Sequence, residues 1–197
     1  MDFETFNPAI PIYDGTRSYQ QVPFQFSLHV VNGPVTEPKH YGFLGDGIED
    51  PRPAFLTELK SILSNNGNIV VYNQSFEKGI LSELGRAFPE YADWIQETCD
   101  RVVDLYSPFR SFSYYNPAQQ GSASIKKVLP ALTGKEYTGL SISKGDDASL
   151  AFFNMAMGNC TDEEKTKTMK DLEEYCALDT EGMIWIVDEL GRLCMPR

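Results

Sequence analysis

The stretch NIVVY, residues 68 to 72, is a short apolar run lying between two segments of helical period. It is too brief for a helix and has no polar alternation, which is the pattern of a strand covered on both faces. Helices must therefore pack on both sides of a sheet. RVVDLY (101–106) predicts a second short buried strand. Upstream, DFETF (2–6), FQFSLHVV (24–31) and HYGFLG (40–45) read as three consecutive antiparallel strands. A proline-containing loop over 7–23 and the turn NGPVTEPK (32–39) join them.

Helical spacing fills the rest of the chain. One helix starts at Asp50, ahead of Pro51 and Pro53, and carries Phe55, Leu59, Ile62 and Leu63 on one face. A second covers 74–88, with Phe76, Ile80, Leu84 and Phe88 on its apolar face, and a third covers 89–99. Residues 107–123 form an aromatic, serine-rich loop, followed by short helices at 124–132 and 146–157. A long amphipathic helix over 161–193 opens with a capping box of Thr161 and Glu164. This order predicts an α/β fold with three layers, α/β/α, around a mixed sheet. At 197 residues one domain is expected, and the abrupt start in a strand suggests a domain cut from a longer protein.

Composition narrows the chemistry. The cysteines Cys99, Cys160, Cys176 and Cys194 form no CxxC pair, which excludes a zinc ribbon or dense disulfide frame and suits a reducing, cytoplasmic setting. His29 and His40 have no partner at ligand spacing, which argues against histidine-bound zinc and a serine–histidine triad and leaves them a strand or surface role. No run is long and apolar enough to span a bilayer, and Met1 leads directly into DFETF without the basic and apolar stretches expected of a signal peptide. A formal charge of −11 disfavours nucleic-acid binding through basic side chains alone, but a carboxylate knot that holds divalent cations would supply positive charge locally.

Three places carry candidate carboxylates. In the last helix Met169, Leu172, Cys176, Asp179, Met183, Ile186 and Leu190 recur at steps of three and four, and Asp179 is the only charge in that stripe. A buried carboxylate must be protonated, paired with a base, or bound to metal. Asp2 and Glu4 share one side of the first strand, about 6–7 Å apart along the backbone, and like charges there call for a cation or for solvent. Glu77 lies in the first turn of the helix after NIVVY, where a helix dipole favours an acid and where the sites of open α/β sheets gather. Four acidic oxygen donors without a histidine or cysteine cluster specify Mg²⁺ or Mn²⁺.

As an ordered set these motifs resemble the DnaQ-like, DEDD-type 3′-5′ exonucleases. DFET is similar to their first motif, NQSFEKGIL to the second, and YCALD has the tyrosine-x-x-x-aspartate spacing of the third motif in the tyrosine subclass. VVDLYSPF, with Asp104, and GSASIKKVLP look like the strand and helix that follow the second motif. The stretches DFETFNPAIPIYDGTRSYQQVPFQFSLH and GSASIKKVLPAL resemble a bacterial family catalogued as domain of unknown function 2779. The resemblance implies a ribonuclease H-like fold and hydrolysis at single-stranded DNA or RNA 3′ ends with two Mg²⁺ or Mn²⁺ ions. It carries Asp2, Glu4, Glu77 and Asp179 over as ligands and Tyr175 as the group that orients water. Thr5 would lie near the terminal nucleotide, and Phe6, Arg17, Asn73 and Lys126 are the further candidate substrate-binding positions.

The second motif departs from the family pattern, with Glu77 where aspartate is usual. Basic residues are also few: Arg17, Arg110, Lys126 and Lys127, beside Tyr19, Phe112, Tyr114 and Tyr115 as stacking surfaces. An alternative is therefore a catalytically weak module that holds nucleic-acid ends or another domain of the parent chain. A third reading makes the 107–123 loop a protein contact surface.

Overall fold

The computed structural model describes residues 1–33, 36–137, 139–142, 144–158 and 160–195. Strands β1 (Asp2–Phe6), β2 (Val22–Val30) and β3 (Lys39–Leu44) pair antiparallel in the order β1-β2-β3. The turn expected at 32–39 includes residues 34 and 35, which lie outside the described residues. Strands β4 (Ile69–Val71) and β5 (Val102–Asp104) pair in parallel. Helices α2 (Gln74–Ala87) and α3 (Ala92–Asp100) form the crossover between them that a parallel pair requires. The main-chain nitrogen of Met1 donates to the Val70 carbonyl at 2.8 Å, which sets the start of β1 beside β4.

Strand alternation decides which helix covers which face. Phe3 pairs with Phe26 across β1 and β2, and both rings meet Phe55 of α1 (Pro51–Ile62) edge-on, with centroids 5.1 and 5.3 Å away. The neighbouring positions point the other way, toward α7 (Asp162–Cys194): Gln25 Nε2 donates to the Leu172 carbonyl at 2.9 Å, and Ser27 bonds Thr180 at 2.7 Å. The sheet is thus covered by α1 on one face and α7 on the other. Short α4 (Ser107–Arg110), α5 (Ile125–Thr133) and α6 (Gly145–Met157) complete the chain. Phe152 of α6 stacks on Phe24 with centroids 3.9 Å apart, while Val128 and Leu129 of α5 pack with Met183 and Ile186 of α7.

Most expected elements are present, with three differences. β5 is not a buried strand: Val103 is 46% exposed, and among the described residues β5 pairs only with β4 and has a free edge. The 107–123 stretch contains the single helical turn α4 and a 3₁₀ turn at Pro117–Gln119. The histidines, far from each other in sequence, face one another from β2 and β3 with ring centroids 4.6 Å apart. All four cysteines are free. Among the described residues no helix is long and apolar enough to cross a membrane.

Candidate functional site

Each candidate acid reaches the same place by a local rule. Asp2 and Glu4 leave β1 on one side because they are two residues apart, and Glu77 follows β4 into the first turn of α2. Tyr175 and Asp179 are one turn apart on α7. All five line one cleft of about 490 Å³. Oxygens of Asp2 and Glu4 and the sulfur of Cys176 lie within 4.8 Å of one another. The quartet that the spacing singled out thus shares one cleft, while Glu77 and Asp179 lie outside the tight group of Asp2, Glu4 and Cys176.

Its electrostatics are unbalanced. Burial pushes the Asp2 carboxyl up to about 7, with the charge of Asp179 adding to the effect. Burial, then Asp2, pushes Glu77 up to about 8, and Glu4 is held well above the ordinary range for the same reasons. Glu77 is only 1% exposed, and its Oε2 has no hydrogen-bond partner. An orphaned buried carboxylate oxygen is costly unless a proton or cation meets it. The Cys176 thiol donates to Asp2 Oδ2 at 3.5 Å, and burial keeps that thiol protonated. Four oxygen-bearing acids, three of them lacking a basic partner among the described residues, are a donor set that fits a hard divalent cation.

Asp179 differs from the other three. Its Oδ1 accepts from Lys126 Nζ and from the Tyr137 hydroxyl, each at 2.6 Å. Pairing with a base, one of the three states open to a buried acid in the stripe, is thus the one present. The Lys126 ammonium also sits over the rings of Tyr137 and Tyr175, 3.8 and 4.3 Å from their centroids. Burial and the nearby carboxylates raise both phenols, so Tyr137 and Tyr175 remain hydrogen-bond donors near neutrality.

Three helix starts face the acids. The N-caps of α2, α5 and α6 are Asn73, Ser124 and Lys144; all line the cleft, and none makes a side-chain cap bond. By contrast, α1 and α7 are capped by Asp50 and Thr161. Uncapped first-turn N–H groups with the positive end of the dipole attract anions. A Cβ added to Gly145 would lie 3.6 Å from Glu4 Oε2, so α6 begins directly against that carboxylate. Asn73 adopts the left-handed region at φ 78°, and its N–H donates to Asp104 Oδ1 at 3.0 Å. Asp104 therefore builds the β4–α2 turn and also accepts from the Tyr106 N–H.

Of the expected substrate positions, Asn73 and Lys126 line the cleft. Thr5 and Phe6 do not: Phe6 is 1% exposed and packs on Phe24 and Phe152, and the Thr5 hydroxyl donates to Gln21. Arg17 is committed elsewhere, in a two-pronged ion pair with Glu83 of α2 at 2.8 and 2.9 Å. Phe112 and Tyr115 are exposed rings with centroids 5.7 Å apart, whereas Tyr114 packs on Phe109. Sequence reasoning missed Tyr137, Ser124 and Lys144. Tyr137 follows α5 in an irregular segment with no periodicity to flag it, but an N-cap position for Ser124 was readable ahead of IKKVL.

A family model described as "Domain of unknown function (DUF2779)" matches residues 1–124. The matched segment contains Asp2, Glu4 and Glu77 and stops before Lys126, Tyr175 and Asp179. Among curated proteins, "Uncharacterized protein MG366 homolog" of Mycoplasma pneumoniae is 30% identical over 208 residues, covering 94% of this chain and 31% of that protein. "Uncharacterized protein MG366" of Mycoplasma genitalium is 26% identical over 209 residues, with the same coverages. The chain thus spans about a third of the length of these relatives. No solved structure matches it.

Proposed function

From the premise that the chain belongs to the DUF2779 family, we propose that it is a metal-dependent 3′-5′ exonuclease acting on single-stranded DNA or RNA ends. The observation that carries this reading is the cleft itself, where four carboxylates meet three uncapped helix starts. Acids that hold cations beside N–H groups that hold anions suit a metal-bound phosphate. The 3′-5′ polarity comes from the motif resemblance. A ribonuclease H-like arrangement is supported by the order β1-β2-β3, with β4 joined to β1 through Met1 and Val70 and β5 beyond it.

Asp2, Glu4 and Glu77 would hold Mg²⁺ or Mn²⁺, with Asp179 at the margin of the set. A bound divalent ion would acidify a water and neutralise phosphate charge. Tyr175, protonated and one turn from Asp179, donates a hydrogen bond that orients a nucleophilic water. Lys126 offers a point charge to phosphate, and the exposed pair Phe112 and Tyr115 offers faces on which bases stack. The other domains of a longer parent chain would complete the nucleic-acid path.

The test is degradation of 3′-ended oligonucleotides with Mg²⁺ or Mn²⁺. Asp2→Ala and Asp179→Ala are each expected to cut the rate by at least about 100-fold, since losing even a group that orients a ligand costs 10–100-fold. Undiminished activity in both variants would remove the assignment. The pairing of Asp179 with Lys126 and Tyr137 favours one other reading, a catalytically weak module that holds a nucleic-acid end or a partner domain. That reading predicts oligonucleotide binding without degradation at any Mn²⁺ concentration.

A further inference from the structure

We infer that the Lys126 ammonium takes the place of one of the two cations expected for a carboxylate quartet, so that the cleft binds a single divalent ion per chain. The inference rests on the metal-dependent reading of the cleft and goes beyond it in setting the number of ions. It begins with how charge is distributed among the four acids. Asp2, Glu4 and Glu77 form no salt bridge among the described residues, and the orphaned Glu77 Oε2 leaves a place for a cation on their side of the cleft. Asp179 is already neutralised by Lys126 at 2.6 Å.

A carboxylate oxygen has about two lone-pair directions, and Asp179 Oδ1 spends both, on Lys126 Nζ and on the Tyr137 hydroxyl. The ammonium is not a freely swinging surface charge. Its side chain is 27% exposed, it lies between the Tyr137 and Tyr175 rings, and its helix is anchored by Val128 and Leu129 against Met183 and Ile186. A divalent ion brought to Asp179 would meet a fixed like charge a few ångströms away. An ion held by Asp2, Glu4 and Glu77 displaces no salt bridge among the described residues.

The number of ions is measured by calorimetric titration of the chain with Mn²⁺, with bound metal counted independently by the spin-resonance signal of free Mn²⁺. One ion per chain is expected for the unaltered protein and for Lys126→Arg, which retains the cation. Lys126→Met is expected to bind two, with the first affinity changed less than about threefold. Two ions in the unaltered protein, or one in a folded Lys126→Met, overturn the inference while leaving the metal-dependent reading in place. No binding to the unaltered protein at millimolar Mn²⁺ overturns both. If Lys126→Met does not fold, as judged by its melting curve, the count for the unaltered protein decides the matter.

Discussion

Two polar clusters lie under helix α7 at adjacent residues, and they solve the problem of burial in opposite ways. At Thr180 the hydroxyl meets Ser27 Oγ at 2.7 Å and His29 Nδ1 at 2.8 Å, while Ser27 Oγ reaches His40 Nε2 at 2.9 Å. Burial pushes His29 down to about 4, with the neighbouring His40 adding to the effect, and lowers His40 as well. That cluster is neutral near pH 7 and closes on itself. At Asp179, one residue earlier, the cleft holds four acids, of which only Asp179 is salt-bridged to a lysine among the described residues, and a buried oxygen of Glu77 has no partner. A buried network that satisfies itself is architecture, whereas one with surplus charge of a single sign is built to be completed by something else.

The largest expected effect tests that surplus through pH. A carboxyl whose proton affinity is raised in the folded state binds more protons folded than unfolded between its two pKa values, so its contribution to stability is lost as pH rises through that window. For Glu77 the window runs from 4.5 to about 8, and for Asp2 from 3.8 to about 7. His29 works the other way between about 4 and 6.5, where the unfolded state binds the extra proton and stability rises with pH. Above pH 6.5 the cleft acids are opposed only by the Met1 amine, whose burial lowers its proton affinity from the usual 8.0 so that its contribution rises with pH up to there. Without divalent ions, stability should fall by roughly 2 kcal/mol between pH 6.5 and 8 from Glu77 alone, or about 4–8 °C in Tm. Thermal melts of Glu77→Gln, or of the unaltered protein with Mn²⁺, should lose most of that slope. A Glu77→Gln variant whose Tm changes across this interval as much as that of the unaltered protein would erase the contrast between the clusters.

A somewhat smaller effect tests the closed network. Thr180→Val keeps the shape but strands His29 and leaves Ser27 only its contact to His40, and should cost about 1–3 kcal/mol in denaturant unfolding. Mn²⁺ affinity should stay within about threefold, because the cleft acids keep their contacts. Equal losses of stability and of metal binding would mean that the two clusters act as one. The smallest effect concerns the helix starts. Thr161→Ala removes a cap bond and should cost about 1 kcal/mol, whereas Ser124→Ala, at an uncapped start in the cleft, should cost less than about 0.5 kcal/mol by the same measurement.

Local patterns carried much of this into the sequence. Spacing alone placed Asp2 and Glu4 on one side of β1, put Asp179 in the buried stripe of α7 with Cys176 and Met183, and announced the capping box at Thr161. Each of these follows from periods of two or 3.6 residues, which act over a few neighbours and need no knowledge of the whole. The order of elements likewise implied a mixed α/β architecture, because parallel strands demand crossovers and antiparallel strands do not.

What spacing could not reach was every pairing between distant segments. Lys126 and Tyr137 meet Asp179 across 53 and 42 residues, His29 faces His40 only because β2 and β3 align in one register, and Arg17 is drawn to Glu83 across 66. Val103 is exposed on a strand that, among the described residues, pairs only with β4, a fact of neighbours and not of composition. The sequence by itself determined which acids would be buried on which element. Only the tertiary structure decided which acid would find a base and which three would not, because charge balance in a cleft depends on through-space distances of a few ångströms between segments that the chain separates widely.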